Sequence, residues 1–352
     1  MLKDAVPLGE CARALVVKLR HHGDVLLAAP VLTVLKAHAP RIEVDALVYD
    51  DTAQMLEGHP ALSKLHVTGR TWRQLGALQR FSRERELFKA LRARRYDLLV
   101  HLSEHPRGAW LARTLGARYR VGPIMADRGA FWRRSFSHLY PLIRNRHHVE
   151  VNLDALRRIG IQPSMAERKV VFVPGAAAEK RIAQLVNGET FVHMHPASRW
   201  RFKCWPAERN AALIDRLAAD GQNVVVTSAA DEDEISLVKE ILGKCQSTPV
   251  SLAGKLSIKE LGALTARASL FIGVDSMPMH LAAAMGTPTL ALFGPSSEEL
   301  WGPWNVERRV VTTTHSCRPC GVDGCGGGKV SECLTLLGVD PVHAAARELL
   351  AR

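Results

Sequence analysis

Short apolar runs alternate with stretches of helical periodicity along the whole chain. In the first half, apolar runs at 14–19, 44–49, 64–67, 96–102 and 118–121 predict strands, and residues 25–37, 72–95 and 107–115 predict helices. The second half restarts the pattern. Strands are predicted at 190–195, 223–228, 249–252, 269–274 and 289–293, and helices at 206–220, 232–242, 258–266 and in the small-residue stretch after Ser276. Strands that are apolar throughout, rather than alternating, belong to parallel sheets covered on both faces. Between the halves lie Pro163, Pro174-Gly175 and an alanine-rich stretch, which read as a hinge. The expected architecture is α/β, with two Rossmann-like, doubly wound parallel-sheet domains facing across a cleft. The first spans 1–162, the hinge 163–188 and the second 189–340, and a last helix over 341–352 is expected to pack back on the first domain. A length of 352 residues also favours two cores over one.

Composition narrows the function. Hydrophobic residues make up 47% of the chain, and mean hydropathy is −0.03, as in a water-soluble globular protein. No uncharged apolar run approaches the roughly 18–20 residues of a membrane span. Arg13, Lys18 and Arg20 interrupt and bound the first apolar run, against a signal peptide, and the expected location is cytoplasmic. The formal charge of +12 favours anionic partners, a phosphorylated substrate or an acidic leaflet among them. Arginines gather at 70–95 and 128–146, the latter with Phe131-Trp-Arg-Arg-Ser-Phe136, a surface suited to something anionic and partly greasy. No zinc-finger, RNP or helix-turn-helix signature accompanies the charge, so nucleic acid is not an expected partner.

In doubly wound sheets, ligands bind beyond the carboxyl ends of the strands. Three such ends carry candidate chemistry. After the first strand the chain reads Arg20-His-His-Gly-Asp24. It lacks G-x-G-x-x-G, which disfavours a dinucleotide-dependent dehydrogenase. Gly23 permits a tight turn there. Asp24 is read either as a helix N-cap or as a general base on an alcohol, and Arg20, His22 and Gly23 beside it are acceptor candidates.

After residues 190–195 comes His195-Pro-Ala-Ser-Arg-Trp-Arg-Phe-Lys203-Cys-Trp-Pro206. Ser198, Arg199 and Lys203 supply a hydroxyl, a planar fork and a point charge, donors of the kind that grip a diphosphate. Trp205-Pro206 reads as packing. Asp231 and Glu232 are either ribose acceptors or ordinary helix N-terminal charges. After 269–274 comes Gly273-Val-Asp-Ser-Met-Pro-Met-His280, where a strand hands over to a helix. Its free N–H groups and dipole attract phosphate, and Asp275 either caps that helix or binds a ligand hydroxyl.

Four of the seven cysteines stand as Cys317-x2-Cys320-x4-Cys325-x7-Cys333 in a glycine-rich loop spanning 315–333. Four thiolates can close a structural zinc site, and reduced, unmetallated thiols are the other reading. No carboxylate cluster calls for magnesium, which is compatible beside a diphosphate but not required.

The Arg20-to-Val25 turn, the His195-to-Pro206 segment, Gly273-to-His280 with Phe293-Gly-Pro295, and the four-cysteine tail together resemble the ADP-heptose:lipopolysaccharide heptosyltransferases, glycosyltransferase family 9. The resemblance covers nearly the whole chain and is greatest to the heptosyltransferase III branch, which adds the branching heptose of the inner core. It implies a GT-B fold, an ADP-heptose donor held mainly by the second domain, and inversion without a covalent intermediate. It implies Asp24 as the catalytic base and Lys203 with Ser198 on the diphosphate. Asp275 would meet the heptose hydroxyls, and Ser276, Met277 and His280 would complete the pocket. Asp231 and Glu232 would sit by the ribose and Leu256 by the adenine. Met277 stands where the family commonly has glycine. The implied acceptor is lipid A-core lipopolysaccharide, most closely O7 of its second heptose, with the enzyme peripheral on the cytoplasmic face of the inner membrane. Heptosyltransferase I or II activity, a protein acceptor for the same donor, and an idle nucleotide-binding protein remain the alternatives.

Overall fold

In the computed structural model, which describes residues 4–143, 145–186 and 188–351, the apolar runs form two six-stranded parallel sheets. The chain divides into two units, Met1–Val173 and Pro174–Arg352. Arg144 of the arginine-rich 128–146 stretch and Arg352 of the expected last helix lie outside the described residues.

The first unit holds strands β1 (Arg13–Val17), β2 (Glu43–Tyr49), β3 (Lys64–Thr68), β4 (Leu98–His101), β5 (Tyr119–Pro123) and β6 (His138–Tyr140), ordered β3-β2-β1-β4-β5-β6. Its helices are α1 (His22–Leu26), α2 (Ala29–His38), α3 (Ala77–Ala93), α4 (Pro106–Thr114), α5 (Ala130–Ser135) and α6 (His148–Arg157). The second unit has β7 (Val192–His195), β8 (Val224–Val226), β9 (Val250–Ser251), β10 (Leu270–Val274), β11 (Thr289–Leu292) and β12 (Arg308–Val311), ordered β12-β11-β10-β7-β8-β9. Around them lie α7 (Ala176–Val186), α8 (Ala207–Ala219), α9 (Glu232–Lys244), α10 (Ile258–Thr265), α11 (Met277–Met285), α12 (Glu298–Trp301), α13 (Glu332–Thr335) and α14 (Val339–Leu350).

Counted from its own first strand, each sheet has the order 3-2-1-4-5-6 of a doubly wound fold. The order reverses between β1 and β4 and again between β7 and β10. At a reversal the helices on either side leave toward opposite faces, which opens a crevice at the carboxyl edge. The central strands β4, β7 and β10 are buried at every position, and apart from His101, His193 and His195 their residues are apolar.

Three expectations are corrected. The helix over 72–95 is a 3-10 turn (Thr71–Gln74) followed by α3, because Gly76 between them is extended (ψ 152°). Within the expected hinge, α7 lays Ala178 and Ile182 against Ala263 and Leu264 of α10, so that stretch is the first helix of the second unit and not a linker. The last helix does not leave its own unit for the first. Val342, Ala346 and Leu349 of α14 lie in the second unit's core with Leu270, Leu290 and Leu213. No described helix is long and apolar enough to cross a membrane.

The buried histidines of β7 are hydrogen-bonded. Thr227 Oγ1 lies 2.8 Å from both His193 Nε2 and His195 Nδ1, and Thr265 Oγ1 lies 3.0 Å from His193 Nδ1. Burial favours the neutral ring, holding His195 at about 3 against an ordinary 6.5. In the first unit it holds His101 at about 3 and His59 at about 4. His195 therefore stays uncharged beside the buried Glu234, 3.9 Å away, and the two are not an ion pair at neutral pH.

Two outcomes follow from this packing. Val342→Asp would place an unpaired carboxylate in the second unit's core and should cost about 3–5 kcal/mol in urea unfolding. An unchanged midpoint would remove α14 from that core. Between pH 6.5 and about 4 the unfolded chain binds protons that the folded rings of His59, His101 and His195 refuse. Stability should be full above pH 6.5 and fall on acidification, by at most about 1.4 kcal/mol per ring per pH unit. Urea midpoints measured from pH 7.5 down to 5 should decline, and a flat profile would contradict the buried-histidine account.

Candidate active site

At the carboxyl edge of the second sheet, the loops leaving β7 and β10 meet at the point where the strand order reverses. β10 ends at Val274, and Asp275 follows it with its side chain only 6% exposed. Ser276, not Asp275, is the N-cap of α11. Its side chain makes no capping bond and donates instead to Val274 O at 3.3 Å, so Ser276 leaves the first N–H groups of α11 uncapped. The Asp275 carboxylate accepts from Lys203 Nζ at 2.5 Å. Lys203 ends a 3-10 turn (Arg201–Lys203) whose backbone closes on Trp200 O at 2.8 Å. That turn is braced by Ser198 Oγ, which accepts from Trp200 N at 3.3 Å. Trp205, at 1% exposure, donates its indole N–H to Leu337 O at 3.0 Å and anchors the loop from below, which is the packing role expected for it.

The other donor-side candidates divide. His280 is buried one turn into α11, its ring 6.3 Å from that of Trp301, and Met277 opens the helix. Arg199 is exposed and stacks on Trp200 at 5.4 Å. Asp231 caps α9, accepting from Asp233 N at 3.1 Å and Glu234 N at 3.2 Å, and Glu232 is exposed in that first turn. Asp231 thus has the helix-terminal role that was one of its two readings. Leu256 is half-buried against the α7–α10 cluster.

In the first unit, Asp24 lies in the first turn of α1, but His21 is the N-cap, so the capping reading of Asp24 is corrected. Its carboxylate is 13% exposed, with Arg20 Nε 3.8 Å away. Gly23 is the second residue of α1 and has no positive φ, so the tight turn expected of it is not what the backbone uses. His22 Nε2 lies 2.8 Å from Asp51 O, and Arg70 donates to Arg20 O at 2.9 Å. Behind α1, Lys18 is buried and donates to Leu102 O and Asn152 Oδ1, both at 2.9 Å. Asn152 Nδ2 in turn donates to Leu27 O at 3.0 Å. Burial pushes the Lys18 ammonium down to about 8, and the negative charge of Asp24 opposes that shift. Neither Lys18, read only as a charge within the first apolar run, nor Asn152 is a site candidate from sequence. The signal available was a lysine set inside an otherwise apolar run.

The glycine-rich loop carries Cys317, Cys320, Cys325 and Cys333. All four thiols are free, three of them exposed, and the described residues include no group of three or more His, Cys, Asp or Glu side chains placed to hold a metal ion. The loop is fastened by other means. Arg318, itself buried, donates through Nε to Gly294 O at 2.6 Å and through Nη2 to Glu298 at 3.0 Å. Gly321 N donates to Pro295 O at 2.9 Å, and Ser331 Oγ donates to Phe202 O at 2.6 Å. The loop is thereby pinned beside Lys203. A separate cavity of about 320 Å³ opens at the amino ends of β8 and β9, where Glu189 is the only charged residue among the described lining. It lies at the opposite edge of the sheet from these groups.

Residues 84–330 match the profile of Glycosyltransferase family 9 (heptosyltransferase). The chain is 39% identical over 292 residues to lipopolysaccharide heptosyltransferase 3 of Escherichia coli, covering 82% of this chain and 85% of that protein. It is 26% identical over 319 residues to lipopolysaccharide heptosyltransferase 1 of Pseudomonas aeruginosa, covering 88% and 86%. A glycosyl transferase family 9 structure from Veillonella parvula DSM 2008 superposes with a TM-score of 0.85 at 23% identity, over 99% of each chain. The E. coli heptosyltransferase WaaC solved with ADP gives 0.75 at 21% identity, over 96% and 99%. The profile runs from α3 into the cysteine loop, and both sheets carry the doubly wound order of the GT-B fold. The chain therefore belongs to glycosyltransferase family 9, the heptosyltransferases, and is a GT-B glycosyltransferase.

Proposed function

We propose that this chain is an inverting transferase that moves L-glycero-D-manno-heptose from ADP-heptose to a heptose of the lipopolysaccharide inner core, as a heptosyltransferase III does. The Lys203–Asp275 pair at the reversal point of the second sheet carries the reading, in a chain whose relatives are named for this transfer. In the proposed step an acceptor hydroxyl attacks C1 of the donor while the bond from C1 to the phosphate oxygen breaks. Asp24 takes the hydroxyl proton, and ADP leaves with the electron pair. Lys203, Ser198 and the uncovered N–H groups at the start of α11 stabilise the charge that develops on the diphosphate. Asp275, released by Lys203 as the lysine turns to phosphate, accepts from sugar hydroxyls.

The same reading places the enzyme peripherally on the cytoplasmic face of the inner membrane, where a lipid-anchored acceptor is held. The first unit supports it: α3 exposes Leu78 (86%) and Phe81 (67%) among Arg80, Arg83 and Arg85, and Trp110 and Phe131 are exposed on α4 and α5. Apolar side chains set among arginines suit the boundary between acyl chains and anionic headgroups.

Asp24→Asn should lower kcat by about 10²–10⁴-fold, as expected for loss of a general base, while ADP affinity stays as in the wild type. Full turnover in that variant would remove Asp24 from the role. Lys203→Met should weaken ADP binding and cost about 10²–10³-fold in kcat/KM. The substrate step is tested by mass spectrometry after incubation of ADP-heptose with core acceptors that carry no, one or two heptoses. Addition of one heptose only to the two-heptose acceptor is the expected result. Addition to a shorter acceptor would move the chain to another branch of the family, and no transfer despite bound ADP would overturn the reading.

A further inference from the structure

The helix that carries Asp24 needs a fastening that its own length does not supply. α1 has five residues, far below the roughly 12–15 at which an isolated helix holds in water. Its amino end is tied by exposed bonds, His22 Nε2 lying 2.8 Å from Asp51 O and Arg20 O accepting from Arg70 at 2.9 Å. Bonds of that kind compete with water. At the carboxyl end the tie is buried. Leu27, the C-cap of α1, offers its carbonyl to Asn152 Nδ2 at 3.0 Å, and Asn152 is 3% exposed on α6.

Lys18 holds Asn152 in turn. Its backbone N–H donates to Leu47 O of β2 at 3.1 Å, and its side chain runs to the other side of β1, where Nζ donates to Leu102 O and Asn152 Oδ1, both at 2.9 Å. One residue thus links β2, the end of β4, α6 and, through Asn152, α1. The link sits where the strand order of the first sheet reverses, between β1 and β4. Lys18 is buried and neither of its side-chain acceptors is charged. An apolar side chain would fill this space without the cost of taking an ammonium out of water. What the ammonium adds is a charge-assisted bond in surroundings of low dielectric, a stiffer tie than a neutral donor makes. The charges around it are Asp24 on α1 and Glu104 beyond β4, which favour the ammonium, and Arg20, which opposes it.

We propose that Lys18 and Asn152 are positioning residues of the transfer: the buried chain from Lys18 through Asn152 to Leu27 sets where α1 stands against β4, and so where the Asp24 carboxylate meets the acceptor hydroxyl. The assignment rests on the reading of Asp24 as the base. Both residues are buried, and both act through Asp24 and not on substrate.

The test measures steady-state transfer from ADP-heptose to the core acceptor that the wild type uses. The variants are Lys18→Met, Asn152→Ala, Asp24→Asn and the double variant Lys18→Met/Asp24→Asn, each checked by urea unfolding and ADP titration. In Lys18→Met and Asn152→Ala, kcat should fall about 10- to 100-fold, the loss expected when a reacting group is misplaced from a distance. Donor KM and ADP affinity should stay within about twofold of wild type, since the ground-state contacts to the donor are untouched. In the Asp24→Asn background, Lys18→Met should change the remaining rate by less than about twofold, because residues that act as a unit are not additive. Unchanged kcat in either single variant would overturn the positioning role. So would an equal fold-loss with and without Asp24, which is what a general loosening of the unit produces. Asn152→Ala keeps the lysine and breaks only the tie to Leu27, so it takes the place of Lys18→Met in both backgrounds if that variant does not fold. Full turnover in Asp24→Asn would instead sink the base reading itself, a failure visible before either positioning variant is measured.

Discussion

A lysine and an aspartate, carried on loops from the two strands between which the second sheet reverses, neutralise each other at 2.5 Å. Everything proposed for the site depends on this pair. A carboxylate as buried as that of Asp275 is costly unless a cation faces it, and Lys203 is that cation. The pair fixes the β7 loop against the start of α11 before any ligand arrives. A diphosphate does not find an empty groove. On the proposed reading it draws Lys203 from one anion to another, and that exchange would leave Asp275 needing donors such as sugar hydroxyls. Donor and protein thus have complementary requirements, and a ligand with phosphate but no sugar satisfies only half of them.

The first unit meets a related problem differently. Lys18 is fully buried behind Asp24, yet its hydrogen-bond acceptors are the uncharged oxygens of Leu102 and Asn152. Asn152 passes the connection to Leu27, just beyond the end of α1. The short helix that carries Asp24 is therefore tied to the sheet through a buried cation, and its carboxylate stands within the field of that charge.

Much of this was legible in the sequence because parallel strands buried on both faces are apolar without interruption. β10 has that character, β7 has it apart from His193 and His195, and the polar turns that follow them hold Asp275 and Lys203 where a ligand site belongs. The missed elements lack the signal. β12 opens on two arginines at a sheet edge, β6 has three residues, and α7 hides its apolar face in a run of alanines that resembles a linker. The capping role of Asp231 was written in its position before a helix, and its bonds to Asp233 and Glu234 are that cap. The terminal helix could not be placed from its own pattern. An amphipathic stripe declares that it needs a partner, not which one. Arg318 illustrates the same limit, since its partners are backbone carbonyls and a glutamate that spacing does not bring together.

The strand pairings that create the two crevices are also the most distant in sequence. Ala14 is in register with Leu98, and Val192 with Leu270, whereas every other parallel pair joins strands much closer along the chain. Loop-closure entropy must be met before such pairings form, so they set the pace of folding in sheets of this kind. In each unit, the seam that makes the ligand crevice is therefore expected to be among the last parts of the sheet to zip up as the chain folds. Until it closes, β1 and β7 each present an open edge to neighbouring chains, and the period of greatest exposure to aggregation ends when the crevice is made.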